Sequence, residues 1–120
     1  TISSPLGGMA SAGQGVEMSP IVVRSWYGLG PGSEYLEGLF YEDAAGKTKR
    51  RHLTKSMSYH LLFGFRGSGP NDGVVALSSQ LRQEAQEEAR TERGFDETHT
   101  SILQSPAVGD YLNEVLAAPR

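Results

Sequence analysis

Met57-Ser58-Tyr59-His60-Leu61-Leu62-Phe63-Gly64-Phe65-Arg66 is the stretch on which the fold turns. Tyr59, Leu61, Phe63 and Phe65 alternate with Ser58, His60, Leu62 and Gly64, the two-residue period of a strand. The second set is partly apolar as well. A strand apolar on both sides is covered on both faces, as in a parallel sheet packed between helices. The strand runs into Gly67-Ser68-Gly69-Pro70-Asn71-Asp72-Gly73, a dense loop signal.

Downstream, residues 77–92 predict one helix, with Leu77, Leu81, Ala85 and Ala89 as a narrow apolar stripe among Glu and Arg. Residues 93–97 read as a short strand or an extended link, and His99 follows. Ser105-Pro106 opens a last helix with an N-cap serine and a proline at its first position. Val108, Tyr111, Leu112, Val115 and Leu116 form the apolar face of that helix.

Upstream, Thr1-Ile2-Ser3-Ser4-Pro5 reads as the end of a strand whose beginning lies outside the chain, in preference to a frayed natural terminus. Residues 6–20 are rich in Gly, Ser and Ala and predict a loop; residues 21–26 predict a short extended piece. After the breaker cluster Gly28-Leu29-Gly30-Pro31-Gly32, Ser33 is placed to cap a short helix carrying Tyr35, Leu36, Leu39 and Phe40. Residues 42–56 are polar. Their basic run, Lys47-Thr48-Lys49-Arg50-Arg51-His52, predicts a solvated loop in preference to an anion-binding patch.

The 120 residues are 38% hydrophobic and 21% charged, the balance of a soluble globular domain. A net charge of −3 argues against nucleic acid as a partner, since phosphate binding favours a basic face. The chain has no cysteine, so disulfide and thiolate chemistry are excluded and the redox compartment is left open, the cytoplasm being slightly favoured. No apolar run approaches the ~18 residues of a membrane span.

Strands alternating with helices predict an α/β fold with a parallel sheet, whose functional residues sit in loops beyond the C-terminal ends of strands. Asp72 and His99 both occupy such positions. A carboxylate and an imidazole there are what a nucleophilic hydrolase needs behind its serine: the imidazole moves the proton, and the carboxylate fixes its tautomer and stabilises the imidazolium. Spacing alone leaves two plainer roles open, a turn-forming Asp72-Gly73 and a loop histidine with a backbone partner. Trp26, Tyr27, Leu29, Tyr35 and Leu36 are equally suited to an acyl-binding surface and to a small core of their own.

Four segments carry a resemblance. Asn71-Asp72-Gly73-Val74-Val75-Ala76-Leu77-Ser78-Ser79-Gln80 resembles the acid loop of lipase- and esterase-like α/β-hydrolases. His99-Thr100-Ser101-Ile102-Leu103-Gln104-Ser105-Pro106-Ala107-Val108 resembles their histidine segment. Thr1-Ile2-Ser3-Ser4-Pro5-Leu6-Gly7-Gly8 is similar to the strand end and loop downstream of their nucleophile. Ser25-Trp26 and Pro31-Gly32-Ser33-Glu34-Tyr35-Leu36 are similar to the covering segment that follows. The resemblance implies the C-terminal part of an α/β-hydrolase sheet with covering helices. Residues 1–8 would be a strand end and loop, 9–56 a lid-like excursion, and 57–120 the units carrying acid and histidine. It implies Asp72 as triad acid, His99 as general base and acid, and an ester or lipid-like substrate, with no cofactor.

The chain departs from that family at the nucleophile. A Gly-x-Ser-x-Gly elbow is required, and no serine here has that setting; around Ser68 the two glycine positions hold Arg66 and Pro70. The expectation is therefore a chain inactive alone, partnered by a missing N-terminal half or self-associating through an exposed sheet edge. The alternatives are an acyltransferase on the same fold and a non-catalytic interaction module. Other motifs are incomplete. Gly46-Lys47-Thr48 lacks the glycine of a phosphate loop, with Tyr41 in its place, and Gly28-Leu29-Gly30 has Ser33 where a dinucleotide fingerprint needs glycine. His52 and His60 have no partner at metal-ligand spacing.

Overall fold

Backbone pairing of the strand predicted above organises the molecule. The structure is a computed structural model that describes residues 1–12 and 25–119. In chain order the elements are α1 (Ser25–Leu29), α2 (Glu34–Phe40), β1 (Tyr41–Ala44), β2 (Lys47–Arg50), β3 (His60–Gly64), α3 (Leu77–Gln80), α4 (Gln83–Glu88), β4 (Thr91–Phe95), a 3-10 turn (Ser101–Leu103) and α5 (Pro106–Ala117). They form a small mixed α/β domain with two two-stranded sheets, one parallel and one antiparallel. Among the described residues no helix is long and apolar enough to cross a membrane.

β3 and β4 pair in parallel, from His60 opposite Thr91 to Gly64 opposite Phe95. On the other side of β3, Ile2 makes an isolated parallel bridge to Leu62, so β3 lies between β4 and the segment around Ile2. Its neighbours Leu61 and Leu62 face opposite sides and are both buried, which is the two-faced burial its composition predicts. One face carries the main core: Leu62, Phe95, Ile102, Val108 and Tyr111, with Ile2, Leu112 and Val115 against it. α5 begins at Pro106 as its Ser-Pro start predicts, although the Ser105 side chain makes no capping bond. Leu116, expected on its apolar face, is instead exposed, one position beyond the part of the helix that meets the sheet. The Ser33 cap is formed, its hydroxyl accepting from Leu36 N–H at 3.2 Å.

Three expectations are corrected. The single helix over residues 77–92 is two short helices. The break falls at Leu81-Arg82, where the backbone leaves helical geometry. Arg82 is held there by Glu84, by Glu37 at 2.9 Å, by the Leu6 carbonyl at 3.2 Å and by the Phe40 ring beneath its guanidinium. The second helix also ends early, because Thr91 and Glu92 pair with β3; long-range strand pairing outweighs local helix preference. The polar loop over residues 42–56 contains an antiparallel hairpin, Tyr41 opposite Arg50 through Ala44 opposite Lys47. Its turn, Ala45-Gly46, has positive φ at both positions (53° and 76°), the two-residue turn whose twist suits a hairpin. Within the basic run Arg50 is the anchoring residue, bonding Glu87 and the Glu84 carbonyl of α4. The extended piece predicted over residues 21–26 falls mainly outside the described residues; its last two, Ser25 and Trp26, begin α1.

Ile102 is fully buried, so Ile102→Ala removes core volume that cannot refill. We expect a loss of about 2–5 kcal/mol of stability, read as a lower denaturant midpoint with an unchanged slope.

Candidate active site: Asp72 and His99

Asp72 lies in the loop after β3 and His99 in the loop after β4, so parallel pairing of the two strands brings the two loops side by side. His99 Nδ1 stands 2.8 Å from Asp72 Oδ2. The His99 N–H also donates to the Asp72 main-chain carbonyl at 2.8 Å, fixing loop to loop independently of the side chains.

The acid turn forms because Asp72 folds its carboxylate back on its own backbone. Oδ1 accepts from Val74 N–H at 2.9 Å and Val75 N–H at 2.6 Å, while the Asp72 N–H donates to the Val75 carbonyl. Gly73, between them, has φ +98°, a conformation that suits glycine. Asn71 adds a second such bond, its Oδ1 accepting from Gly73 N–H at 2.7 Å. The histidine turn is stapled reciprocally: Thr98 N–H donates to Ser101 Oγ, and Ser101 N–H donates to Thr98 Oγ1. Ser101 in turn donates to Glu97 at 2.5 Å. Ile102, three residues after His99, plugs this turn into the core.

Asp72 has no exposed surface, whereas the His99 side chain is 37% exposed. Burial pushes the Asp72 carboxyl up. The N–H groups of Val75 and Val74 and the His99 ring together outweigh it and hold the carboxyl below the ordinary value of 3.8. An ionised carboxylate only accepts, so the Nδ1 of neutral His99 carries the proton and Nε2 keeps its lone pair. Among the described residues Nε2 makes no hydrogen bond. A partly exposed ring with a fixed tautomer and an open nitrogen can take a proton from a hydroxyl and return it.

Gly64, at the end of β3, is where the loops converge. A Cβ there would stand 2.8 Å from the Glu97 carbonyl oxygen, 3.3 Å from Asp72 Cβ and 3.4 Å from Ser3 Oγ. In the sequence this glycine is one member of an alternating strand. Nothing in its local sequence marks it, because the crowding comes from segments far apart in the chain. Ser3 is buried beside it with φ +44°, and its hydroxyl has no partner among the described residues.

The five residues of the excursion are distributed otherwise. Trp26 lies in α1, and its side chain is outside the described set. Tyr27 and Tyr35 are exposed, Leu29 is half-buried, and Leu36 is buried under α2. None of their described hydrogen bonds reaches Asp72 or His99. The loop that leads into the excursion is nevertheless tied to the acid-loop side of the molecule. Gly7 N–H donates to the Ser79 carbonyl, Ser79 Oγ donates to the Gly8 carbonyl at 2.7 Å, and Met9 N–H donates to the Leu29 carbonyl. Among the described residues no group of three or more His, Cys, Asp or Glu side chains is placed to hold a metal ion.

Two outcomes follow. Because the folded carboxyl titrates below its unfolded value, its contribution is complete above the unfolded pKa near 4 and is lost as pH falls through the folded one. Urea denaturation from pH 7 to pH 2 is therefore expected to show an acid loss of stability that is shallower in Asp72→Asn, which is itself less stable at pH 7 by about 1.5–3 kcal/mol. Gly64→Ala is expected to cost about 1–3 kcal/mol and to weaken the Asp72–His99 bond, read as faster amide exchange at Val75 and His99. Comparison with family models, curated proteins and solved structures found no match to this chain.

Proposed function

We propose that this chain supplies the acid and the general base of a serine-type carboxylic-ester hydrolase of the lipase/esterase kind, built on an α/β-hydrolase sheet. The observation that carries the reading is the 2.8 Å contact between a fully buried Asp72 carboxylate and His99 Nδ1, in loops following adjacent parallel strands. The order acid, then histidine, is that of α/β-hydrolases. The four resembling segments fall in the family's order as well.

In this role His99 Nε2 removes the proton of a serine hydroxyl as its oxygen attacks the ester carbonyl. It then passes that proton to the departing alkoxide. Water repeats the cycle to free the acid product. Asp72 stays ionised, keeps the proton on Nδ1 and stabilises the imidazolium between the two transfers. The serine comes from elsewhere, since the sequence has no Gly-x-Ser-x-Gly. Its natural source is an N-terminal portion of the same protein, with a strand laid along Ile2 on the side away from β3. Alone, the chain exposes that edge, and edges of this kind recruit strands from other copies.

The test is turnover of p-nitrophenyl butyrate by the 120-residue chain and by a longer polypeptide carrying an elbow serine upstream. The short chain is expected to be inactive and to self-associate in light scattering; the long one is expected to be active. In the long form Asp72→Asn is expected to lower kcat by about 10⁴-fold, and His99→Ala by at least as much. Turnover that survives His99→Ala overturns the assignment.

A further inference from the structure

Gln80, in α3, is 1% exposed, and its amide is engaged on every side. Its Oε1 accepts from Gly64 N–H at 2.9 Å. Its Nε2 donates to the Gly64 carbonyl at 3.1 Å and to the Val75 carbonyl at 3.0 Å. A side-chain amide offers two donors and an oxygen with two lone pairs, and here both donors and one lone pair are in use.

The position of these bonds gives them meaning. Leu62 N–H and C=O pair with the segment around Ile2. Two residues on, Gly64 presents its N–H and C=O to the same side, because alternate residues of a strand point alike. By then the neighbouring chain has turned away at Ser3, where φ is +44°. The Gln80 amide takes the place of the strand that is no longer there and satisfies a buried peptide that would otherwise be left without partners. Its third bond reaches Val75. The Val75 carbonyl also accepts from Asp72 N–H, and the Val75 N–H grips Asp72 Oδ1 at 2.6 Å. One buried side chain thus joins the end of β3 to the turn that holds the carboxylate.

We infer that Gln80 is a positioning residue for the Asp72–His99 pair, setting where the acid turn stands relative to β3 and hence to the histidine loop. The inference rests on that pair being the working pair of the hydrolase proposed above. An apolar side chain of similar size would keep the packing volume but leave the Gly64 peptide without partners as well as removing the registration. The buried amide thus serves both the satisfaction of the β3 end and the placement of the acid turn.

The experiment is nuclear magnetic resonance on the 120-residue chain with no substrate present. Gln80→Met, matched in length and lacking both donors and acceptor, is expected to stay folded by circular dichroism. Its His99 Nδ1–H signal, deshielded by the carboxylate, is expected to be lost or to move upfield, and the Asp72 carboxyl pKa to rise. If the methionine variant does not fold, Gln80→Glu, which keeps an acceptor for Gly64, reads the same signals. A folded variant with both signals unchanged overturns the inference. Loss of folding in both variants overturns it too, since Gln80 then serves the fold alone. A shifted His99 signal combined with an inactive longer polypeptide removes the hydrolase reading and leaves the positioning role standing.

Discussion

A carboxylate with no exposed surface has to be satisfied entirely by the protein, and in this chain that carboxylate is Asp72. Burial alone would drive it to its neutral form; two backbone N–H groups and an imidazole keep it charged. Each donor places a demand on a different part of the chain. The Val74 and Val75 amides require the turn after β3 to fold back on itself. The imidazole requires the turn after β4 to arrive within hydrogen-bond distance. Meeting both demands takes a parallel β3–β4 pair in one register, with glycine at position 64 so that the loops can close over the strand end.

The core and the candidate site are therefore one construction. Ile102 fills the interior and, three residues after His99, fixes the histidine turn. Tyr111 of α5 packs on Phe95 at the end of β4, with a ring separation of 6.0 Å, and Arg93 lies over both rings. The sheet thus sits on the last helix at the strand that leads into the histidine loop. On the other side, Arg82 gathers α2, the Leu6 carbonyl and α4 into one cluster, and Ser79 holds the loop at Gly7 and Gly8. The segment ahead of the hairpin is in this way attached next to the acid turn.

Much of this was legible in the residues. The two-faced apolar pattern around Leu61 and Leu62 identified a strand covered on both faces, Ser33 and Ser105-Pro106 marked two helix starts, and the Gly-rich run ending in Asp72-Gly73 marked a loop. These signals are local: they depend on side-chain alternation, on the fixed φ of proline and on hydroxyls that cap nearby amides. The pairing of Asp72 with His99 was legible only as an order of residues and a resemblance in wording. Either residue alone had an ordinary structural reading.

What tertiary structure decided was every feature that depends on distant partners. Residues 91–92 have helix-compatible side chains, yet they join a sheet because β3 offers unpaired backbone groups. The helix over residues 77–92 breaks at Arg82 because its guanidinium finds Glu37 and Leu6 far away in sequence. Leu36 goes inside while its neighbour Tyr35 stays out, a sorting made by packing of α2 and not by hydrophobicity, which both share. Gly64 and Gln80 carry no local mark of their importance, since what crowds the one and bonds the other is brought there by the fold. Sequence by itself determined where several of the strands and helices could begin and which two residues were candidates for acid–base chemistry. Only the folded chain decided that those two meet, because a hydrogen bond between loops exists only after the strands beneath them have paired.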